Sequence, residues 1–198
     1  MDQPDEIDQM VQLNKTNGAK VSEWVIEPAT VESLPDILQI EEACFSAPWT
    51  RKMLEAELSG NPFAHFLLAK RVPQGQADGV LVVGYLCFWV VFEEVRLMNL
   101  AVIEPMRHKG IARSLVMHAL GVGLAQGAIR AVLEVRESNQ AARGLYRSLG
   151  FRGGTRRAAY YKNPMEDALL MELEPIVLEP DRLTDEVGRG GGPIMPQQ

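Results

Sequence analysis

The stretch RHKGIA, residues 107–112, follows directly on the apolar run RLMNLAVIEP and opens into a segment with helical periodicity. A turn of this kind leaves the first N–H groups of the helix without intrahelical acceptors. They converge on one point, which the helix dipole makes favourable for an anion. Arg107, Lys109 and Arg113 add positive charge around that point, and Gly110 removes a side chain that would hold a ligand off the backbone. The chemistry is that of a pyrophosphate cradle. The same residues also fit a solvated basic turn with a glycine for positive φ. A P-loop requires Gly-Lys-Ser/Thr, which GIAR lacks, and a dinucleotide fingerprint requires more glycines on the first turn of an alternating parallel fold.

Two further residues could move protons. In RAVLEVRES, strand alternation puts Val132, Glu134 and Arg136 on one face. A carboxylate inside a central strand is desolvated, which raises its pKa toward that of a general base. A glutamate at a sheet edge, or one paired with Arg136, is the alternative. Tyr146 lies twelve residues after Glu134, and its phenol is a proton donor. It also fits a core position beside Leu145 and Leu149. Asn139 and Ser138 precede the same helix, with Ser138 the expected cap.

These residues need elements to hold them. SEWVIEPA reads as a strand, followed by a helix over VESLPDILQIEEACF capped by Thr30. After the turn SAPW comes a short helix, capped by Thr50 and closed by Gly60. AHFLLAKR and GVLVVGYLCFWVVF read as strands joined by the polar loop VPQGQADG, and EVRLMNLAVI follows closely, so the three form an antiparallel meander. A long helix carries Ile111, Leu115, Ala119 and Val122 on one stripe. IRAVLEVRE, the helix of SNQAARGLYRSLGF, and the strands TRRAAYY and EDALLMEL complete the chain. The fold class is α/β with a mixed sheet, in the order β-α-α-β-β-β-α-β-α-β-β, with a central right-handed βαβ unit. Ligands of such sheets sit at the carboxyl ends of the parallel strands.

Residues 1–22 and 175–198 read as tails, the first acidic and the second rich in proline and glycine, flanking a domain over 23–174. The net charge is −6, but residues 23–173 hold 17 acids against 16 bases. The acidity therefore belongs to the ends, and nothing points to nucleic acid. The longest apolar run, residues 79–92, is too short to span a membrane, and the N-terminus has no apolar signal region. Cys44 and Cys87 lack metal-ligand spacing, and His65 and His118 have no ligand partners, so no metal and a reducing cytoplasm are expected. Glu41 and Glu42 read as an exposed helix face, or as an attraction for a basic peptide.

Arg-x-x-Gly-x-Ala after NLAVIEP resembles the acyl-coenzyme A signature of the GNAT N-acetyltransferases, with Ala112 in place of a second glycine. LEVRESN, ARGLYRSLGF, YYKNPMEDALLMEL and FSAPWT match in order, and together they resemble the RimI branch over roughly residues 25–173. The resemblance implies acetyl-CoA as co-substrate and acetyl transfer to the N-terminal alanine of a small-subunit ribosomal protein. It implies Glu134 as base and Tyr146 as acid, with Glu93 and Glu94 as rival bases. It assigns Leu100, Ala101 and Val102, the turn residues Arg107, His108, Lys109, Gly110, Ile111, Ala112 and Arg113, and Asn139 to the cofactor. Trp49, Tyr160 and Tyr161 become walls of an acceptor groove. Within the same fold, acetylation of a small amine or a lysine, or a non-catalytic CoA-binding module, are the alternative functions.

Overall fold

The computed structural model describes residues 24–71 and 81–178. The loop VPQGQADG, residues 1–22 and the chain beyond Leu178 lie outside the described residues. Seven strands form one sheet: β1 (Trp24–Pro28), β2 (Ala64–Arg71), β3 (Leu81–Val91), β4 (Glu94–Val102), β5 (Arg130–Arg136), β6 (Arg152–Lys162) and β7 (Met165–Leu173). Four helices accompany them: α1 (Leu34–Cys44), α2 (Arg51–Glu55), α3 (Ile111–Ala125) and α4 (Gln140–Ser148). The sheet order is β1-β2-β3-β4-β5-β7-β6. β2 to β4 are an antiparallel meander, as expected, β1 pairs antiparallel with β2 after the two intervening helices, and β4-α3-β5 is the parallel crossover. β7 inserts between β5 and β6, so β6 is an edge.

Alternation along β2 explains the layers. Leu67 and Ala69 join the core under α3 and α4, whereas Phe66 and Leu68 join the core under α1 and α2. Both faces are covered, so β3 is buried almost throughout, and its sequence shows no polar alternation. Several helix signals hold. Thr50 Oγ1 accepts from the Met53 N–H at 3.3 Å, and Pro35 sits in the first turn of α1, where no N–H is needed.

Three boundaries differ from expectation. Residues 31–33 are a single 3-10 turn before α1, and α2 widens into a π-turn over Ala56–Gly60. α3 begins only at Ile111, because His108 (φ 60°) and Gly110 (φ 84°) occupy left-handed backbone. The packed chain also runs past the expected boundary at residue 174. Ile176 is buried in the main core, and its N–H bonds the Ile129 carbonyl at 2.8 Å, so an apolar side chain and a backbone pair override the proline signal. No helix among the described residues is long and apolar enough to cross a membrane.

Candidate active site

The parallel pairing of β4 with β5 is short. It runs from Glu94 opposite Arg130 to Leu97 opposite Leu133 and stops. Met98 is the reason on the β4 side. Leu97 pairs with Phe88 and Asn99 with Cys87, so Met98 is an extra residue that bends β4 away. Beyond it β4 still pairs with β3, through Leu100, Ala101 and Val102. On the side facing β5 the ladder has ended, and alternate main-chain groups of this stretch face the opening. β3 supports it from behind at close range: a Cβ on Gly84 would lie 2.7 Å from the Ala101 carbonyl oxygen. The divergence is a matter of register, which the residues alone do not reveal.

The candidate cradle lies at the end of the same strand. Gly110, at φ 84° and ψ −7°, turns the chain into α3, and the first α-helical bond of α3 is Ser114 N–H to Gly110 O at 2.9 Å. The amides of Ile111, Ala112 and Arg113 therefore stand at the open, positive end of a fifteen-residue helix. The expected ring of cations is only partly there. Arg107 turns back and donates from Nε to the Val102 carbonyl at 3.0 Å, anchoring the end of β4. Arg113 reaches Ser148 Oγ at 3.4 Å and ties α3 to α4. Lys109 Nζ lies 3.7 Å from Met106 Sδ. Asn139, not Ser138, caps α4, its Oδ1 accepting from the Ala142 N–H at 3.0 Å. Ser138 instead gives its main-chain N–H to Glu166 at 2.6 Å.

Glu134 is the first β5 residue past the last parallel pair, so its strand position faces the opening. Its side chain is 10% exposed and is not paired with Arg136. Arg157 of β6 lies 3.0 Å from Oε1 and Arg96 of β4 lies 3.9 Å from the same oxygen. In both pairs the nearest approach is to Oε1. Arg136 bonds Glu166 at 3.2 Å and lies 4.1 Å from the Tyr161 ring centroid. The rival carboxylates sit elsewhere. Glu94 is held in the paired part of the ladder by Arg96 at 2.9 Å and Arg130 at 3.0 Å, and Glu93 is exposed in the β3–β4 turn.

Tyr146 is buried on α4, with its ring edge-on to Phe151 at 5.7 Å. It is a core aromatic, and burial holds its phenol well above its ordinary pKa, with the Tyr161 phenol adding to the shift. Tyr161 donates to the Glu134 carbonyl oxygen at 3.3 Å, and burial first, then Tyr160, pushes its pKa up to about 12. Tyr160 is exposed and packs edge-on to Tyr161 at 5.1 Å. The structure thus gathers Glu134, Tyr146, Tyr160 and Tyr161. Trp49 stands apart from them, with no hydrogen bond or ring contact to Tyr160 or Tyr161 among the described residues.

Sequence reading missed Glu41. It is fully buried, neither an exposed charge nor a lure for a basic peptide. Its Oε1 accepts from Tyr85 Oη and from Asn99 Nδ2 (2.7 Å), and its Oε2 accepts from the Trp49 main-chain N–H at 2.6 Å. The signal was present: Leu34, Ile37, Glu41 and Cys44 follow one helical stripe, and a carboxylate on an apolar stripe needs buried donors. No cluster of three or more His, Cys, Asp or Glu suited to a metal occurs among the described residues.

The acetyltransferase (GNAT) family model matches residues 34–151, and the chain belongs to that family of acyltransferases. Within it, the chain is 33% identical over 142 residues to the [ribosomal protein bS18]-alanine N-acetyltransferase of Salmonella typhimurium, covering 71% of this chain and 90% of that one. A Bacillus subtilis protein provisionally given the same name is 34% identical over 141 residues, covering 71% of this chain and 89% of its own. The crystal structure of the ribosomal-protein-S18-alanine N-acetyltransferase from Escherichia coli superposes with a TM-score of 0.67 at 28% identity, over 80% of this chain and 97% of that one.

Proposed function

We propose that the protein transfers the acetyl group of acetyl-CoA to the α-amine of an N-terminal alanine, on a small-subunit ribosomal protein of the bS18 kind. The observation that carries the chemistry is the position of Glu134, one residue beyond the last β4–β5 pair, inside the opening that leads to the Gly110 turn. Acetyl-CoA supplies an activated acyl group as a thioester. The chain's own groups fit it. The amides of Ile111, Ala112 and Arg113 suit the pyrophosphate, since a residue other than glycine would be strained at the φ of Gly110. Alternate main-chain groups of the stretch Leu100, Ala101 and Val102 face the opening and suit the pantetheine arm and the thioester carbonyl.

The acceptor amine has an ordinary pKa of about 7.7–8.0, so at neutral pH it must lose a proton before it attacks. Glu134 takes that proton on its carboxylate, which Arg96 and Arg157 hold in place from Oε1. As nitrogen bonds to the carbonyl carbon, negative charge on the carbonyl oxygen is met by main-chain N–H groups of β4. The C–S bond then breaks, the electron pair leaves on sulfur and takes the Tyr146 proton; the nitrogen, positively charged after attack, gives up its second proton, which restores the phenol. Burial keeps the Tyr146 phenol protonated at neutral pH, so it meets the sulfur as a donor throughout. The products are an N-acetylated chain and a free thiol.

The α1–α2 turn with Trp49 and the β6–β7 side with Tyr160 and Tyr161 form the acceptor walls on this reading. The relatives acting on bS18 support the choice of acceptor, and a peptide panel tests it. Peptides with free N-terminal Ala, Ser, Met or Gly, and blocked peptides with an internal lysine, are incubated with protein and acetyl-CoA and read by mass spectrometry. Acetyl on the α-amine of the Ala peptide is expected. Transfer to lysine alone refutes the acceptor. For the mechanism, Glu134→Gln and Tyr146→Phe each lose at least ~10²-fold in kcat with acetyl-CoA affinity retained. Unchanged turnover in both variants removes the proposed acid and base.

A further inference from the structure

We propose that Glu41 is a positioning residue for the transfer, its buried carboxylate holding the acceptor-side turn in place against the diverging half of β4. The proposal rests on the acceptor side assigned above.

Glu41 is 0% exposed and sits on α1, packed against β3 and β4. Its three donors come from three different elements. Trp49, in the turn before α2, gives its main-chain N–H to Oε2 at 2.6 Å. Asn99 on β4 gives Nδ2 to Oε1 at 2.7 Å, and Tyr85 on β3 gives its hydroxyl to the same oxygen. Asn99 Nδ2 also donates to Tyr85 Oη at 2.9 Å, which closes the network. Asn99 is the residue that resumes pairing with β3 after the Met98 bulge, at the point where β4 leaves β5. At the far end of that diverging stretch, α1 touches β4 again: Cys44 Sγ approaches the Val102 carbonyl at 3.7 Å. α1 therefore grips both ends of the segment that faces the thioester, and through Oε2 it holds the turn that faces the amine.

A buried carboxylate is a costly way to fill a core, since an apolar residue of similar volume often packs as stably or better. Burial pushes the Glu41 pKa up while its donors pull the other way. What an apolar residue could not do is accept from a turn and a strand at once. The carboxylate sets the distance between Trp49 and Asn99, and so between the two reactants.

Glu41→Gln tests this. The glutamine keeps one acceptor oxygen for Asn99 and Tyr85 but presents an amide N–H to the Trp49 N–H, so the bond to the turn is the one lost. The KM for the Ala peptide should rise about tenfold or more, the scale of one hydrogen bond to a charged group, while acetyl-CoA affinity stays within about twofold. Tyr85→Phe removes a donor from the same network but leaves the Trp49 bond. It should lower Tm and leave the peptide KM within about twofold. A peptide KM unchanged in Glu41→Gln overturns the proposal, and so does an equal rise in Tyr85→Phe, which would mean general loosening. Should Glu41→Gln fail to fold, Asn99→Ala cuts the β4 end of the bridge at a half-buried site. It must raise the peptide KM, and an unchanged value there overturns the proposal too. Trp49→Ala separates the two levels. If it raises the peptide KM and Glu41→Gln does not, the acceptor side stands and the positioning role falls. If neither does, both fall.

Discussion

Two glycines on α3 should answer the same substitution with opposite signs. In an exposed helix interior, glycine to alanine gains about 0.8–1.0 kcal/mol from backbone entropy. At Gly121 a Cβ would meet only Leu178 Cδ1, at 3.8 Å, an ordinary contact. Gly121→Ala should therefore stabilise by about 1 kcal/mol, or roughly 2–4 °C in Tm for a chain of this size. Gly123, two residues on, is different. A Cβ there would collide with Val95 Cγ2 and touch the Ala128 Cβ at 3.5 Å. Val95 is fully buried, β-branched, and fixed in the paired part of β4, so it has no rotamer to retreat to. Overpacking of a tight core costs about 1–3 kcal/mol, and a blocked neighbour belongs at the upper end. Subtracting the helix gain leaves a loss of about 2 kcal/mol, or roughly 4–8 °C. Thermal unfolding of both variants by circular dichroism, with and without acetyl-CoA, reads the result. A Gly123→Ala protein as stable as Gly121→Ala would refute the close seating of α3 on β4, and with it the placement of the cradle that α3 carries.

Gly110→Trp should abolish measurable acetyl-CoA binding by calorimetry while the domain still unfolds cooperatively, because the side chain enters the space before the α3 amides. Normal affinity in that variant would sink the cradle. His65, stacked on Phe88 at 5.2 Å, has its pKa lowered by burial, against a weaker opposing bond to Gln126. The unfolded chain thus takes up the proton more readily, so stability is whole above the ordinary histidine value near 6.5 and declines as pH falls through it. His65→Gln should lose less Tm than the parent between pH 7.5 and 5, and equal losses would refute the assignment.

Much of this architecture is written in local patterns. The period of α3, the strand at AHFLLAKR and the Thr50 cap each rest on neighbours a few residues apart, and each is found where the pattern puts it. The Gly110 turn was equally legible, since glycine before a periodic helix has few other uses. What escaped depends on partners far along the chain. Arg107 carries the same charge whether it faces an anion or the Val102 carbonyl. Arg157, the cation nearest Glu134, comes from an edge strand 23 positions later in the sequence. Ile176 lies between prolines, and only the exposed backbone of Ile129 turns that segment into part of the core. Glu41 was misread for another reason: two adjacent glutamates look alike in sequence, while a helix sends them to opposite environments.

The brief contact between β4 and β5 divides the sheet into two panels, one of four strands and one of three, stitched by four residue pairs. Such a seam behaves as a hinge line, with α3 as the strap that crosses from the end of one panel to the start of the other. On the proposed function, a thioester arm lying in the opening would extend the stitching along the line where it stops. Its arrival should slow amide exchange on both panels, β3 as well as β7, although it touches neither strand. Binding would then tighten the catalytic geometry and raise the cooperativity of unfolding by the same contacts.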